Sequence, residues 1–202
     1  MTATCTSAPL CRPRTAFLLT RWAGVALMSL AALSPAWAQK VKLVTSMGDI
    51  VLELDHDKAP KSVDNFVQYV KSGQYDGTIF HRVIDGFMIQ GGGYTPDLKE
   101  KTTRAPIPLE SRNGLSNVRG SLAMARTMVP DSATAQFYIN VVDNPNLDQP
   151  NARDGEGYAV FGKVVQGMDV VDKIKAAATG NKGGFANVPL QPILIKKATL
   201  EK

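Results

Sequence analysis

The segment 80–93 contains the side chains best suited to chemistry in this sequence. Its arginine, Arg82, is followed closely by an aromatic ring, a thioether and an amide, which belong to Phe87, Met88 and Gln90. If two strands joined by a turn at Asp85-Gly86 carry these residues, their side chains converge on one face. Phe and Met are also ordinary core residues, but an unpaired arginine inside a core is costly. The segment therefore predicts a face with apolar walls, one fixed positive charge and one amide.

Several other chemistries are excluded by residue type and position. The two cysteines, Cys5 and Cys11, lie at the extreme N-terminus, so the body of the protein lacks a disulfide scaffold, a cysteine metal site and a thiol nucleophile. The glycines at 91–93 are not followed by the Lys-Ser/Thr helix of a phosphate-binding loop, and no Gly-x-Ser-x-Gly nucleophile elbow exists. The sequence predicts no cofactor.

Only two histidines exist, His56 and His81, which is too few for a multi-histidine metal centre. We therefore predict no metal site. Strand alternation places His81 on the face opposite its neighbour Arg82, so we expect a structural residue that forms hydrogen bonds. His56 lies in a polar turn and is expected to be solvated.

Residues 1–38 differ from the rest in composition and predict a secretory signal peptide. Three arginines and no acids precede an apolar run at 22–33, and Ala36-Trp37-Ala38 offers small residues at the two positions that a signal peptidase reads. The run of about a dozen apolar residues is well short of the ~20 that a membrane-spanning helix needs. We expect cleavage after Ala38 and a periplasmic domain at 39–202 that is not attached to the membrane.

The charge distribution argues against a nucleic-acid partner. The chain has 23 Lys+Arg and 18 Asp+Glu, and three of the basic residues belong to the predicted leader. The remaining basic residues are scattered among acids, whereas a nucleic-acid-binding surface needs them clustered. No long apolar surface helix demands a partner, so we expect a monomer.

The patterns along the chain predict many short strands and two helices. The runs 41–46 and 49–54 alternate and are joined by a tight turn, which predicts a hairpin. Pro60 opens a helical apolar pattern that ends at Gly73, and a second short helix is predicted at 169–177. The other strand-like runs are 78–83, 87–90, 120–125, 136–142, 159–164 and 192–200.

About eight strands, few helices and many Gly-rich turns predict a mainly β protein, either an antiparallel barrel or a sandwich. Two long polar connections, 94–117 and 144–157, must run over the surface, where such loops often shape binding sites.

Four segments of the chain form a co-linear set of motifs: FHRVIDGFMIQGG at 80–92, GSLAMA at 120–125, DSATAQFYIN at 131–140 and YAVFGKV at 158–164. In order and spacing they resemble the cyclophilins, a family of peptidyl-prolyl cis-trans isomerases, and most closely its periplasmic bacterial branch. The similarity extends from Lys40 to Leu200. It implies a closed eight-stranded antiparallel β-barrel capped by two α-helices.

The resemblance also assigns roles to residues at matching positions. The apolar pocket that holds proline corresponds to Phe87, Met88, Tyr138 and Leu147. The polar members of the site are Arg82, Gln90 and Gln136, of which the first two are the predicted catalytic residues. The rim that binds the substrate backbone includes Ala125 and Arg126, and Tyr158 stands where many relatives have histidine.

Three further positions depart from the family pattern. Asp85 replaces the usual proline of the turn, Asn146 stands where relatives have Trp or Phe, and the position of Tyr138 is usually Phe. The departures leave Arg82 and the apolar floor of the pocket in place.

The resemblance implies an enzyme that accelerates rotation about X–Pro bonds while exported proteins fold, with proline-containing segments as its partners. The alternative from a different class is a proline-peptide-binding or chaperone module that uses the same pocket without turnover. A small-ligand carrier is disfavoured, because barrels of about eight strands are often filled by their own side chains.

Overall fold

A computed structural model describes residues 39–201, and the predicted signal peptide lies outside them. In chain order, the strands are β1 (Lys40–Thr45), β2 (Gly48–Leu54), β3 (Thr78–Ile84), β4 (Met88–Gly91), β5 (Ser121–Met124), β6 (Phe137–Asn140), β7 (Val160–Gln166), β8 (Thr179–Lys182), β9 (Phe185–Pro189) and β10 (Leu194–Glu201). The helices are α1 (Pro60–Lys71) and α2 (Met168–Lys175), with short 3₁₀ helices at Pro130–Ser132 and Pro145–Leu147.

Eight of the strands form a closed barrel in the order β1, β10, β3, β4, β6, β5, β7, β2, and β2 returns to pair with β1. Every neighbouring pair is antiparallel. The predicted mainly β, closed eight-stranded fold is therefore confirmed. The remaining strands, β8 and β9, form a separate two-stranded hairpin that the sequence patterns did not predict.

Both predicted helices are present within about two residues of their expected ends. Pro60 occupies the first turn of α1, where its missing N–H costs nothing, and Gly73 follows the helix with a φ of 69°. The apolar stripe of α1, including the fully buried Phe66, joins the interior of the barrel, as does Ile174 of α2. Between residues 39 and 201, neither helix is long and apolar enough to cross a membrane.

Aromatic rings fill the centre of the interior cluster. The ring of Phe137 makes edge contacts with Phe66 and Tyr75, each at a centroid distance of 5.4 Å, and with Phe80 at 6.3 Å. All four side chains are fully buried. Because side chains alternate along a strand, the neighbour of Phe137 in β6, Tyr138, is directed out of this interior.

Candidate functional site

A second apolar cluster, hereafter the outer cluster, lies on one wall of the barrel and is distinct from the interior. Its buried members come from four adjacent strands, β4, β6, β5 and β7, and are Met88, Tyr138, Ala123 and Val160. The partly buried residues packed around them are Ile84, Phe87, Leu115, Ala125, Leu147 and Tyr158. The fold therefore presents an apolar surface made of strand residues with loop residues at its border.

Arg82 lies at the edge of the outer cluster. Its Cζ is 5.9 Å from the centroid of the Phe87 ring, and its Nη1 donates a hydrogen bond of 3.4 Å to Gln90 Oε1. Among residues 39–201, no carboxylate lies within 4.0 Å of this guanidinium. Burial lowers the pKa of Arg82 from its usual value, although arginine stays protonated in proteins. The outer cluster thus has an adjacent positive charge that no described acid neutralises.

The predicted polar residues form a chain of hydrogen bonds that begins at Arg82. Gln90 Nε2 donates to Gln136 Oε1 over 3.0 Å. Gly93 leaves room for Gln136, because a Cβ at that glycine would lie 2.6 Å from Gln136 Cγ. The glycines at 91–93 therefore serve close packing, in agreement with the exclusion of a phosphate loop.

The side chain of Arg126 is turned away from the open surface. It is only 1% exposed and its Nη2 lies 2.6 Å from Asp154 Oδ2. That guanidinium lowers the pKa of the Asp154 carboxyl. Arg126 as a whole is partly exposed, so the accessible part of this residue is its backbone.

Behind the outer cluster, buried amides fix two of its aromatic residues. Tyr138 Oη donates to Asn117 Oδ1 over 2.7 Å, and Asn140 Nδ2 donates to the same oxygen over 3.1 Å. Asn144 Nδ2 donates to Asn140 Oδ1 and to the Phe87 carbonyl, over 2.7 and 2.8 Å. Because buried polar networks of this kind are costly to disrupt, they hold Tyr138 and the Phe87 backbone in place.

The structure therefore brings the predicted site residues to one region of the barrel wall. Six of the ten belong to the outer cluster: Phe87, Met88, Ala125, Tyr138, Leu147 and Tyr158. Arg82, Gln90 and Gln136 form the polar chain beside it.

Sequence reasoning did not identify Ala123, although it alternates with the core residues Leu122 and Met124. Leu115, in a long loop, carries no such signal.

His81 is buried, as expected for a structural residue, but the expected hydrogen bonding is missing at one of its ring nitrogens. The pairing register of β3 with β4 shifts between Phe80 and Arg82, which interrupts simple alternation at His81. The ring is 3% exposed and packs against Tyr94 and Phe185, at centroid distances of 4.6 and 6.5 Å. Its Nδ1 has no hydrogen-bond partner among residues 39–201. Burial and the charge of Arg82 lower the pKa of His81 to about 4.

This buried ring should make the protein less stable as the pH falls. The pKa is about 4 in the folded state and near 6.5 when exposed, so the unfolded chain binds more protons between these values. The free energy of unfolding should decrease across this window by at most ~3 kcal/mol. Urea denaturation at several pH values measures it.

In His81→Phe, the unfolding free energy should hardly change between pH 6.5 and about 5, because the titrating ring is gone. His56→Gln is the comparison, since His56 is exposed: the dependence of the unfolding free energy on pH should change more in His81→Phe than in His56→Gln. If the unfolding free energy of His81→Phe depended on pH as strongly as that of the wild type, His81 would not be the source of the pH dependence.

Comparison with known proteins identifies the family. A family model described as "Cyclophilin type peptidyl-prolyl cis-trans isomerase/CLD" matches residues 40–200. The chain is 56% identical over 182 residues to peptidyl-prolyl cis-trans isomerase A of Dickeya dadantii, covering 88% of this chain and 95% of the relative. It is 55% identical over 159 residues to peptidyl-prolyl cis-trans isomerase B of Escherichia coli, covering 78% of this chain and 97% of the relative.

A solved structure supports the same conclusion. A cyclophilin-type peptidyl-prolyl cis-trans isomerase from Cryptosporidium parvum, determined in the presence of the dipeptide Ala-Pro, matches with a TM-score of 0.70. It is 29% identical, and the match covers 81% of this chain and 99% of that one. The barrel, the motifs and the extent of the matches agree: the chain belongs to the cyclophilin-type peptidyl-prolyl cis-trans isomerases.

Proposed function

We propose that this isomerase binds proline-containing segments with the proline ring in the outer cluster, and that Arg82 assists rotation about the X–Pro bond. The observation that carries the proposal is a guanidinium beside an apolar surface, with no acidic partner in the described part of the chain, residues 39–201. The Cryptosporidium parvum relative whose structure was determined in the presence of Ala-Pro supports the choice of ligand.

Arg82 suits a reaction in which no covalent bond is broken. The barrier of about 18–20 kcal/mol is the resonance that the amide loses as it twists. In the twisted state the proline nitrogen regains a lone pair, to which a guanidinium can donate a hydrogen bond. The planar ground state lacks this lone pair, so the interaction favours the transition state selectively, which is the requirement for acceleration.

The surroundings of Arg82 make its charge effective. Gln90 Oε1 accepts a long hydrogen bond of 3.4 Å from the guanidinium, and Gln136 Oε1 accepts a shorter one of 3.0 Å from Gln90. The apolar residues exclude water from the proline ring, and fixed charges act more strongly where water is excluded. In this proposal Gln90 also contacts a substrate carbonyl, and the accessible backbone of Arg126 anchors the residue that precedes proline.

The energetic demand is moderate. Uncatalysed isomerisation takes ~10–100 s. A rate gain of ~10⁵ needs about 7 kcal/mol of selective stabilisation, at about 1.36 kcal/mol per decade. One charged hydrogen bond, the fixed proline ring and the exclusion of water together can supply it.

A protease-coupled assay on a short X–Pro peptide tests the proposal. The wild-type protein should accelerate cis/trans conversion in proportion to its concentration, because each molecule turns over many peptides. Peptide binding without acceleration would instead indicate the alternative, a proline-peptide-binding or chaperone module.

The rate should depend little on pH. Arg82 stays charged, burial raises the pKa of Tyr138 well above its usual value, and His81 with a pKa of about 4 is neutral. We therefore expect kcat/KM to be nearly constant between pH 6 and 9 with a peptide that does not titrate in this range. A bell-shaped profile centred near pH 7 would show that a general acid or base takes part.

We further propose that the substrates are exported proteins and that the enzyme acts in the periplasm. The support is the leader pattern of residues 1–38, which ends in Ala36-Trp37-Ala38. Mass spectrometry of the protein from cells tests this proposal. A mature N-terminus at Gln39 in the periplasmic fraction is expected, and an intact leader in the cytosolic fraction would contradict it.

A further inference from the structure

The guanidinium of Arg126 uses all three of its nitrogens in hydrogen bonds close to the outer cluster. Besides its ion pair with Asp154, Nε and Nη2 both donate to the Gly157 carbonyl, over 2.9 and 2.7 Å, and Nη1 donates to the Thr127 carbonyl over 2.9 Å. A planar guanidinium with several donors can hold several acceptors in a fixed arrangement. Arg126 thus joins the end of β5 to the 154–157 segment.

Asp154 organises the same segment from within. Its Oδ1 accepts hydrogen bonds from the backbone N–H groups of Glu156 and Gly157, over 3.0 and 3.4 Å, while its Oδ2 pairs with Arg126. At Gly157, a Cβ would lie 2.6 Å from the backbone nitrogen of Gln149, so the backbone of the 144–157 loop approaches itself closely there. Arg126 contacts the loop at this position, because it donates to the carbonyl of Gly157.

The residue that follows this point, Tyr158, forms part of the border of the outer cluster. Its backbone N–H donates to the Leu147 carbonyl over 3.0 Å, which ties two border residues together. Its ring lies 4.5 Å from Arg126 Cζ and 5.9 Å from the ring centroid of Tyr138. The ring therefore has the guanidinium and an aromatic residue of the outer cluster as its neighbours.

From these contacts we propose that Arg126 is a positioning residue for the substrate pocket: its buried guanidinium, paired with Asp154, holds Tyr158 and Leu147 where they border the proline ring. The inference rests on the proposed function. Unlike Arg82, Arg126 has its charge neutralised by an acid and its side chain buried. It therefore sets the shape of the pocket and does not act on the reacting bond.

The test compares substitutions of this buried pair with a substitution in a second arginine–aspartate pair, whose arginine side chain is 41% exposed. Arg126→Ala removes all the contacts of the guanidinium, Arg126→Lys keeps only a charge for Asp154, and Asp154→Asn removes the acid. Arg119→Ala is the control, because Arg119 also joins an acid, Asp172, over 2.7 Å and also donates to a backbone carbonyl, outside the outer cluster.

Three measurements are made on each protein: the Kd for a fluorescent X–Pro peptide, kcat and KM in the isomerase assay, and amide hydrogen exchange at Tyr158. In Arg126→Ala we expect Kd and KM to rise about tenfold, equivalent to ~1.4 kcal/mol. We expect kcat to change by less than about twofold, because Arg82 and Gln90 are untouched. The Tyr158 amide should exchange faster, because its bond to the Leu147 carbonyl is no longer held in place.

Partial rescue identifies the contacts that matter. Arg126→Lys should fall between wild type and Arg126→Ala, because lysine lacks the planar fork and its stacking on Tyr158. Arg126→Ala/Asp154→Asn should bind peptide no more weakly than Arg126→Ala alone, since both changes remove the same interaction. Arg119→Ala should leave the peptide Kd and the Tyr158 exchange rate at wild-type values.

An unchanged peptide Kd in Arg126→Ala would overturn the proposal, and so would an equal rise in Arg119→Ala, which would indicate a general loss of stability. A fall in kcat at constant KM would also overturn it, by making Arg126 part of the chemistry. If the proposed function were wrong, the wild type would not accelerate isomerisation. The peptide Kd and the exchange rate of the Tyr158 amide would still test the role of Arg126.

Discussion

Replacing Arg82 with alanine should lower kcat/KM by at least ~10², equivalent to about 2.7 kcal/mol of lost transition-state stabilisation, while the protein stays folded. The reason is that a guanidinium can donate to the proline nitrogen only when the amide is twisted. The apolar residues of the outer cluster remain, so peptide binding should persist and most of the loss should fall on kcat.

The stability of the variant should stay near that of the wild type. Arg82 is partly buried without an acidic partner among residues 39–201, and its side-chain hydrogen bond to Gln90 is long at 3.4 Å. Its removal therefore relieves a desolvation cost as well as losing a weak contact. Urea denaturation of Arg82→Ala and the isomerase assay, performed on the same preparation, separate the two effects.

Arg82→Lys is the informative companion. Lysine keeps the positive charge but lacks the planar array of donors, so its kcat/KM should lie between the wild type and Arg82→Ala. If Arg82→Ala isomerised peptides at nearly the wild-type rate, the assigned role of Arg82 would be wrong.

The second large effect is expected in the interior. Phe137→Ala should lower the free energy of unfolding by about 3–5 kcal/mol, the usual cost of truncating a buried phenylalanine to alanine. Its ring contacts Phe66, Tyr75 and Phe80 and is fully buried, so truncation leaves a cavity among aromatic rings that cannot all move to fill it.

Phe137→Ala should lower stability and keep activity, whereas Arg82→Ala should lower activity and keep stability. Phe137 belongs to the interior cluster, whereas its neighbour Tyr138 belongs to the outer cluster, so kcat/KM per folded molecule should change little at a temperature where the variant is folded. Phe137→Leu is the matched control and should lose only about 1 kcal/mol, since much of the volume is retained. A loss for Phe137→Ala no larger than that for Phe137→Leu would contradict tight packing of the rings.

The β8–β9 hairpin illustrates what the sequence could not predict. The barrel strands carry apolar residues that alternate or run together, because each of them buries at least one face. The residues of β8, Thr-Gly-Asn-Lys, are all at least partly exposed and have no apolar alternation. The hairpin is held by its own pairing and by apolar residues of β9, where Val188 is buried and Phe185 packs on Tyr94 at a centroid distance of 5.0 Å, a contact between distant parts of the chain.

The two arginines of the predicted site also show which contacts could not be predicted from the sequence. The family resemblance placed both Arg82 and Arg126 at the site, and the structure gives them different surroundings. Arg126 is neutralised by Asp154, which lies in a long loop whose path no local pattern determines. Residue types and predicted strands could therefore indicate that Arg82, Phe87, Met88 and Gln90 share one face, and the family resemblance added the other residues of the outer wall. The partner of each charge depends on how the loops fold over it.

The most direct test of the central claim is exchange NMR on a peptide with one X–Pro bond, at a low ratio of wild-type protein to peptide. The account predicts exchange cross-peaks between the cis and trans resonances on a timescale far shorter than the uncatalysed ~10–100 s, and their near disappearance with Arg82→Ala at equal peptide occupancy. Peptide resonances that shift on binding, with cis and trans forms exchanging no faster than in free solution, would contradict it.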